Sequence, residues 1–182
     1  MTEPPAEVIE SLHLGRLGRG YPGLTPNGGV HLAQACTVCL EERGHVSGMC
    51  RLVSRGAYSA LYRLAWSDID DRVVRQWNDD QEATEEGACG LAILLITSLT
   101  DFQVVMRSRK GTGFDYWLGR KDDELFQNAA RLEVSGIRFG DQRLVDRRLH
   151  QKREQTKRSD GALPAFVVVV EFGTPLAVVE KR

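Results

Sequence analysis

Three short segments decide the fold: FQVVMRSR at 102–109, GFDYWLG at 113–119 and ARLEVSGI at 130–137. Each is rich in β-branched, aromatic and aliphatic residues and predicts a strand. The Lys110-Gly111-Thr112-Gly113 turn makes the first two a hairpin. Upstream, the polar Asn78-Asp79-Asp80 turn leads into a helix from Glu82 to Leu99 that is apolar on most sides beyond Gly87, the pattern of a buried helix. Downstream of Gly140, the stretch DQRLVDRRLHQKREQTKR at 141–158 is helical by composition, with Asp141 as its cap and Ser159-Asp160-Gly161 as its terminator. AFVVVVEF at 165–172 is a continuous apolar run that fits a strand covered on both faces. PLAVVEK at 175–181 follows across the Gly173-Thr174-Pro175 turn. The expected fold class is mixed α/β, with a helix-strand-strand-strand-helix-strand core over residues 81–182.

Residues 1–80 read as an N-terminal extension packed on that core. Pro4, Pro5, Pro22 and Pro26, together with several glycines, make the first 28 residues an irregular arm. A helix is expected from Val30 to Arg43, stopped by Gly44. MCRLVSRGAYSALYRLAW at 49–66 predicts a hairpin turning at Ser54-Arg55-Gly56, and Ser67 or Asp68 caps a short helix running to Trp77. There is no internal repeat and no low-complexity segment.

A chain of 182 residues with 42% hydrophobic side chains can bury a core without covalent staples. Ala88 to Ile96, the longest apolar stretch, is too short to span a bilayer, and Met-Thr-Glu-Pro-Pro lacks the features of a signal peptide. The expectation is a cytoplasmic protein with no membrane partner. Cys36, Cys39, Cys50 and Cys89 then read as reduced thiols. The net charge of −1 conceals a strong segregation. Arg138, Arg143, Arg147, Arg148, Lys152, Arg153, Lys157 and Arg158 crowd residues 138–158 against Asp141, Asp146 and Glu154, whereas residues 68–86 are acidic. A polyanion is drawn to the first region and repelled by the second.

Two acids stand out. Alternation puts Phe114, Tyr116 and Leu118 on one face of their strand and Asp115 with Trp117 on the other; in the third strand Arg131, Glu133 and Ser135 lie opposite Leu132, Val134 and Gly136. Carboxylates brought together on neighbouring strands repel each other unless a proton or cation intervenes. Oxygen ligands in an incomplete cage suit Mg²⁺ or Mn²⁺. The alternative is a pair of ordinary acids on the solvated face of an antiparallel sheet, paired with Arg131 or Arg109.

The order of elements over residues 82–172, with Asp115 in GFDYWLG and Glu133 in LEVSG, resembles the core of the PD-(D/E)XK nuclease superfamily, the restriction-endonuclease-like fold. The resemblance implies a divalent-cation-dependent nuclease that hydrolyses phosphodiester bonds of DNA or RNA, with Asp115 and Glu133 as metal ligands. It further implies a lysine two residues after the second acid, where this chain has Ser135. Some members of the superfamily take that lysine from another element, and Lys152 is the candidate here, because Val145, Leu149, Lys152 and Thr156 share one helical stripe. Glu86, or Glu82 one turn earlier, corresponds to the additional acid that some members place on the first core helix. Arg143, Arg147, Arg148, Lys152 and Gln155 are the expected nucleic-acid contacts, with Gln151 and Gln155 placed to orient water or substrate. A small nuclease cutting both strands would act as a homodimer. Ser135 also admits a catalytically inactive protein of the same fold, acting as a nucleic-acid-binding or protein-interaction module.

Cys36, Cys39, His45 and Cys50 have the residue types of a zinc site. Cys36 and Cys39 fall inside a segment of strong helix character, and Thr37-Val38 supplies no turn between them, so the structural reading is preferred over zinc. Neither a phosphate-binding loop nor a nucleophile elbow is present.

Overall fold

The computed structural model describes residues 10–157, 161 and 163–182. A short strand β1 (Glu10–His13) and a 3-10 helix (Leu14–Arg19) precede α1 (Pro26–Glu42) and the strands β2 (Cys50–Gly56) and β3 (Ala60–Ala65). Then come α2 (Asp71–Gln76), α3 (Asp80–Leu99), β4 (Phe102–Arg107), β5 (Tyr116–Arg120), β6 (Ala130–Ile137), α4 (Gln142–Lys157), β7 (Ala165–Glu171) and β8 (Leu176–Lys181). The eight strands form one mixed sheet in the order β1-β3-β2-β8-β7-β6-β5-β4. β4, β5 and β6 are antiparallel neighbours, and β7 runs parallel to β6. The β2–β3 hairpin joins the same sheet, because β2 runs parallel to β8.

The central strands are buried on both faces, since α3 covers one side of β6 and β7 and α4 covers the other. Every residue of β7 is buried, which is why its sequence lacks alternation. α3 has no polar face over most of its length because α1 packs on its outer side, leaving Ala83 and Gly87 through Ile96 buried. Asp79 caps it by accepting from the Glu82 N–H at 2.8 Å. The approach of α3 to β6 is close: a Cβ on Gly136 would stand 2.4 Å from the Thr84 carbonyl oxygen. Among the described residues no helix is long and apolar enough to cross a membrane.

Several boundaries differ from the sequence expectations. α1 begins at Pro26 rather than Val30, with Thr25 as its cap and proline in its first turn. Gly29 therefore lies inside the helix, where a Cβ would stand 1.8 Å from the Leu17 carbonyl oxygen; glycine there permits contact with the 3-10 helix instead of breaking α1. β2 continues through Ser54, Arg55 and Gly56, so the hairpin turns at residues 57–59; pairing of Arg55 and Gly56 with Val178 and Val179 extends the strand. α2 starts after Asp70, whose carboxylate accepts from the Arg72 and Val73 N–H groups, and not after Ser67 or Asp68. α4 is described through Lys157; Arg158 and the Ser159-Asp160 part of its expected terminator lie outside the described residues.

Candidate active site

Asp115 stands one residue before β5, where the strand pairing has already begun: its N–H donates to the Leu132 carbonyl and its own carbonyl accepts from the Ser108 N–H, both at 2.8 Å. Its Oδ2 accepts from the Val134 N–H at 2.8 Å, which fastens the carboxylate to the strand carrying Glu133. Glu133 is only 1% exposed, and its Oε1 accepts from Lys152 Nζ at 2.5 Å. Asp115 lies close enough for its charge to act on the Glu133 carboxyl. Burial, followed by the neighbouring Asp115 charge, pushes the Glu133 carboxyl up to about 7 against the opposing pull of Lys152.

The solvated-face alternative is corrected by this geometry. Arg131, Glu133 and Ser135 are all buried, because α4 lies across the face of β6 that alternation assigned to solvent. Arg131 donates to the main-chain carbonyls of Thr156 and Leu163, bracing α4 and the approach to β7, while Glu133 takes its cation from the helix.

Along α4 the stripe is as expected: Val145 and Thr156 are buried, and Leu149 and Lys152 are partly so. One turn before Lys152, Arg148 donates from Nη1 to Ser135 Oγ at 3.0 Å. Sequence reading placed Arg148 among outward phosphate contacts; its spacing of four residues from Lys152 was the available signal that it also reaches the sheet. Arg143 and Arg147 are exposed. Gln151 and Gln155 line a groove of about 640 Å³ between α4 and the turn at Gly111 and Gly113.

Glu86 does not complete a three-carboxylate cage with Asp115 and Glu133. Among the described residues no three His, Cys, Asp or Glu side chains converge to hold a metal ion. α3 covers the Gly136 face of β6, opposite the Glu133 face, and the Glu86 and Asp115 charges both act on Cys89, Arg107 and Tyr116. Glu82 is exposed on the first turn of α3. The acid pair by itself fits a hard divalent cation: it offers carboxylate oxygens without thiolate or imidazole, and Mg²⁺ commonly takes one or two carboxylates and fills its octahedron with water and substrate oxygens.

The N-terminal thiols lie within the hydrophobic core. Cys36, Cys39 and Cys50 are buried, and burial raises all three, Cys39 and Cys50 to about 11. Cys39 donates to the Ala83 carbonyl at 3.2 Å, and Arg138 Nη1 approaches its sulfur at 2.6 Å. His45 Nε2 lies 2.9 Å and 3.1 Å from the Phe172 and Gly173 carbonyl oxygens, so that nitrogen carries the proton and is unavailable as a ligand.

Comparison with models of known protein families, with curated proteins and with solved structures finds no match for this chain.

Proposed function

We propose that this protein hydrolyses phosphodiester bonds of DNA or RNA with a divalent cation, Mg²⁺ or Mn²⁺, at Asp115 and Glu133. The observation that carries the reading is the position of Lys152 Nζ, 2.5 Å from a buried glutamate that itself neighbours Asp115. The run α3-β4-β5-β6-α4-β7, with acids at the start of β5 and within β6, supports a restriction-endonuclease-like core over residues 82–172. In that reading Lys152 supplies from α4 the cation that Ser135 lacks.

When bound, the cation would polarise the phosphoryl oxygen, lower the pKa of a coordinated water and stabilise the leaving oxygen. The chain's own residues do the rest. Val134 N–H fixes the Asp115 carboxylate, burial keeps Glu133 out of competition with bulk water, and the Lys152 ammonium is held where it can orient a water beside Glu133. Gln151 and Gln155 present amides along the groove in which a strand would lie.

A second reading, a binding module without catalysis, is favoured by the same ion pair: the Glu133 charge is already compensated by Lys152. Cleavage assays on single-stranded and duplex DNA and RNA with Mg²⁺ or Mn²⁺ separate the two. Hydrolysis by the wild type, abolished in Asp115→Ala and Glu133→Ala and reduced at least ~100-fold in Lys152→Ala, is the expected outcome. A wild type inert on every substrate, or activity that survives both acid substitutions, overturns the hydrolytic reading.

A further inference from the structure

We infer that Arg148, anchored on Ser135, is a phosphate-receiving cation that takes a non-bridging oxygen of a nucleic-acid strand running over α4 beside the groove between α4 and the turn at 111–113. The inference rests on the nucleic-acid reading above, and it assigns that reading a specific backbone contact.

The basic residues of α4 differ in what they already bind. Lys152 is held by Glu133, Arg153 Nε pairs with Glu180 at 3.0 Å, and Lys157 Nζ pairs with Glu154 at 2.5 Å. Arg143 and Arg147 are exposed to solvent, whereas Arg148 is partly buried, its bond is to a neutral hydroxyl, and among the described residues no carboxylate pairs with it. A partly buried guanidinium is costly to hold without a counter-charge, so a site built this way is complete only when an anion arrives.

Ser135 makes the arrangement directional. It is 6% exposed and lies two residues beyond Glu133 on the same face of β6. By accepting Nη1 it holds the plane of the guanidinium beside the acid pair and leaves the other N–H groups free to form a fork on phosphate, a geometry that lysine cannot reproduce. The adjoining groove, lined by Gly111, Gly113, His150, Gln151, Glu154 and Gln155, lies on the next face of α4. It is about 640 Å³, enough for a stretch of sugar-phosphate backbone. Glu154 is the acid among its lining residues, and Lys157 neutralises it. Arg148 and Lys152 stand one helical turn apart on the face of α4 beside these lining residues, where a strand following the groove would reach them. Arg148 binds the phosphate, and Ser135 is a positioning residue.

The test is equilibrium binding of fluorescein-labelled single-stranded and duplex DNA and RNA to the full chain, by anisotropy, in EDTA and in Ca²⁺, across a salt series. Arg148→Ala should weaken binding about tenfold and reduce the slope of log K against log salt by about one, as expected for loss of one phosphate contact. Arg148→Lys should retain the slope while losing affinity, and Ser135→Ala should weaken binding a few-fold with the slope unchanged; a merely structural Arg148 would not move the slope. If Arg148→Ala fails to fold, Arg148→Gln and Arg148→Lys provide the same comparison of slopes with and without the charge. Wild-type protein that binds none of the probes, or neutral Arg148 variants that bind within twofold of wild type with the same slope, overturns the inference. Arg148-dependent binding without cleavage in Mg²⁺ or Mn²⁺ overturns only the hydrolytic reading, and cleavage that needs Asp115 and Glu133 but not Arg148 does the reverse.

Discussion

Lys152 Nζ, carried by α4, lies 2.5 Å from Oε1 of Glu133 in β6, and it is the cation that compensates a glutamate removed from solvent. The pair ties a solvent-edged helix to the centre of the sheet. Replacing Lys152 by Met should destabilise the fold by about 2–3 kcal/mol at pH 8, because a buried carboxylate is left without its partner. At pH 5.5 the same substitution should cost less, since the carboxyl then carries a proton. Urea unfolding of wild type and Lys152→Met at the two pH values checks this; equal costs would contradict it.

Glu133 should impose its own pH dependence on stability. Its folded carboxyl is raised to about 7, above its ordinary value, so the folded state holds the proton more tightly than the unfolded chain. The corresponding stabilisation is fully present below the unfolded value, about 4.3, and is lost as pH rises through about 7. Wild type should therefore lose stability across that window, and Glu133→Gln should show a flatter profile. Thermal melts from pH 4.5 to 8 measure the difference between the two curves.

Cation binding should reverse that loss. A divalent cation competes with the proton on Glu133, so Mg²⁺ or Mn²⁺ should raise the melting temperature of wild type at pH 8, where that proton has left, and do so less at pH 5.5. At tenfold excess over its dissociation constant the cation stabilises by about 1.4 kcal/mol. Asp115→Asn and Glu133→Gln should abolish the response. Calorimetric titration with either metal provides a readout that does not depend on cleavage.

Packing around the site should be intolerant of small additions. Gly136→Ala places a methyl 2.4 Å from the Thr84 carbonyl oxygen and 3.0 Å from Ala88 Cβ, so α3 or β6 must shift. Overpacking of this kind costs about 1–3 kcal/mol. Circular-dichroism melts should show the loss, and because Glu133 is in the same strand, metal affinity should fall with it.

Much of the core was legible in the sequence because local chemistry coincided with tertiary demand. The β-branched run at 165–172 and the apolar helix beyond Gly87 could satisfy their side chains only in the interior. Legibility failed where a distant segment changed the meaning of a residue. The helix expected from Val30 takes in Gly29 because Leu17 packs against that glycine, and Gly56, expected in the turn, lies in β2 because β8 pairs with it.

By itself, the sequence determined the mixed α/β class, the placing of Asp115 at the entry to one strand and Glu133 within its neighbour, and the stripe that turns Lys152 inward, because each follows from periods of two or 3.6 residues along the chain. Only the tertiary structure decided that Glu133 is buried, that Lys152 is its cation, that Glu86 does not close a three-carboxylate group with the pair and that Arg148 rests on Ser135. Periodicity gives a side chain's direction, but not which helix covers that face. That depends on how α3 and α4 pack on opposite sides of the sheet, and burial and charge at the acid pair follow from it.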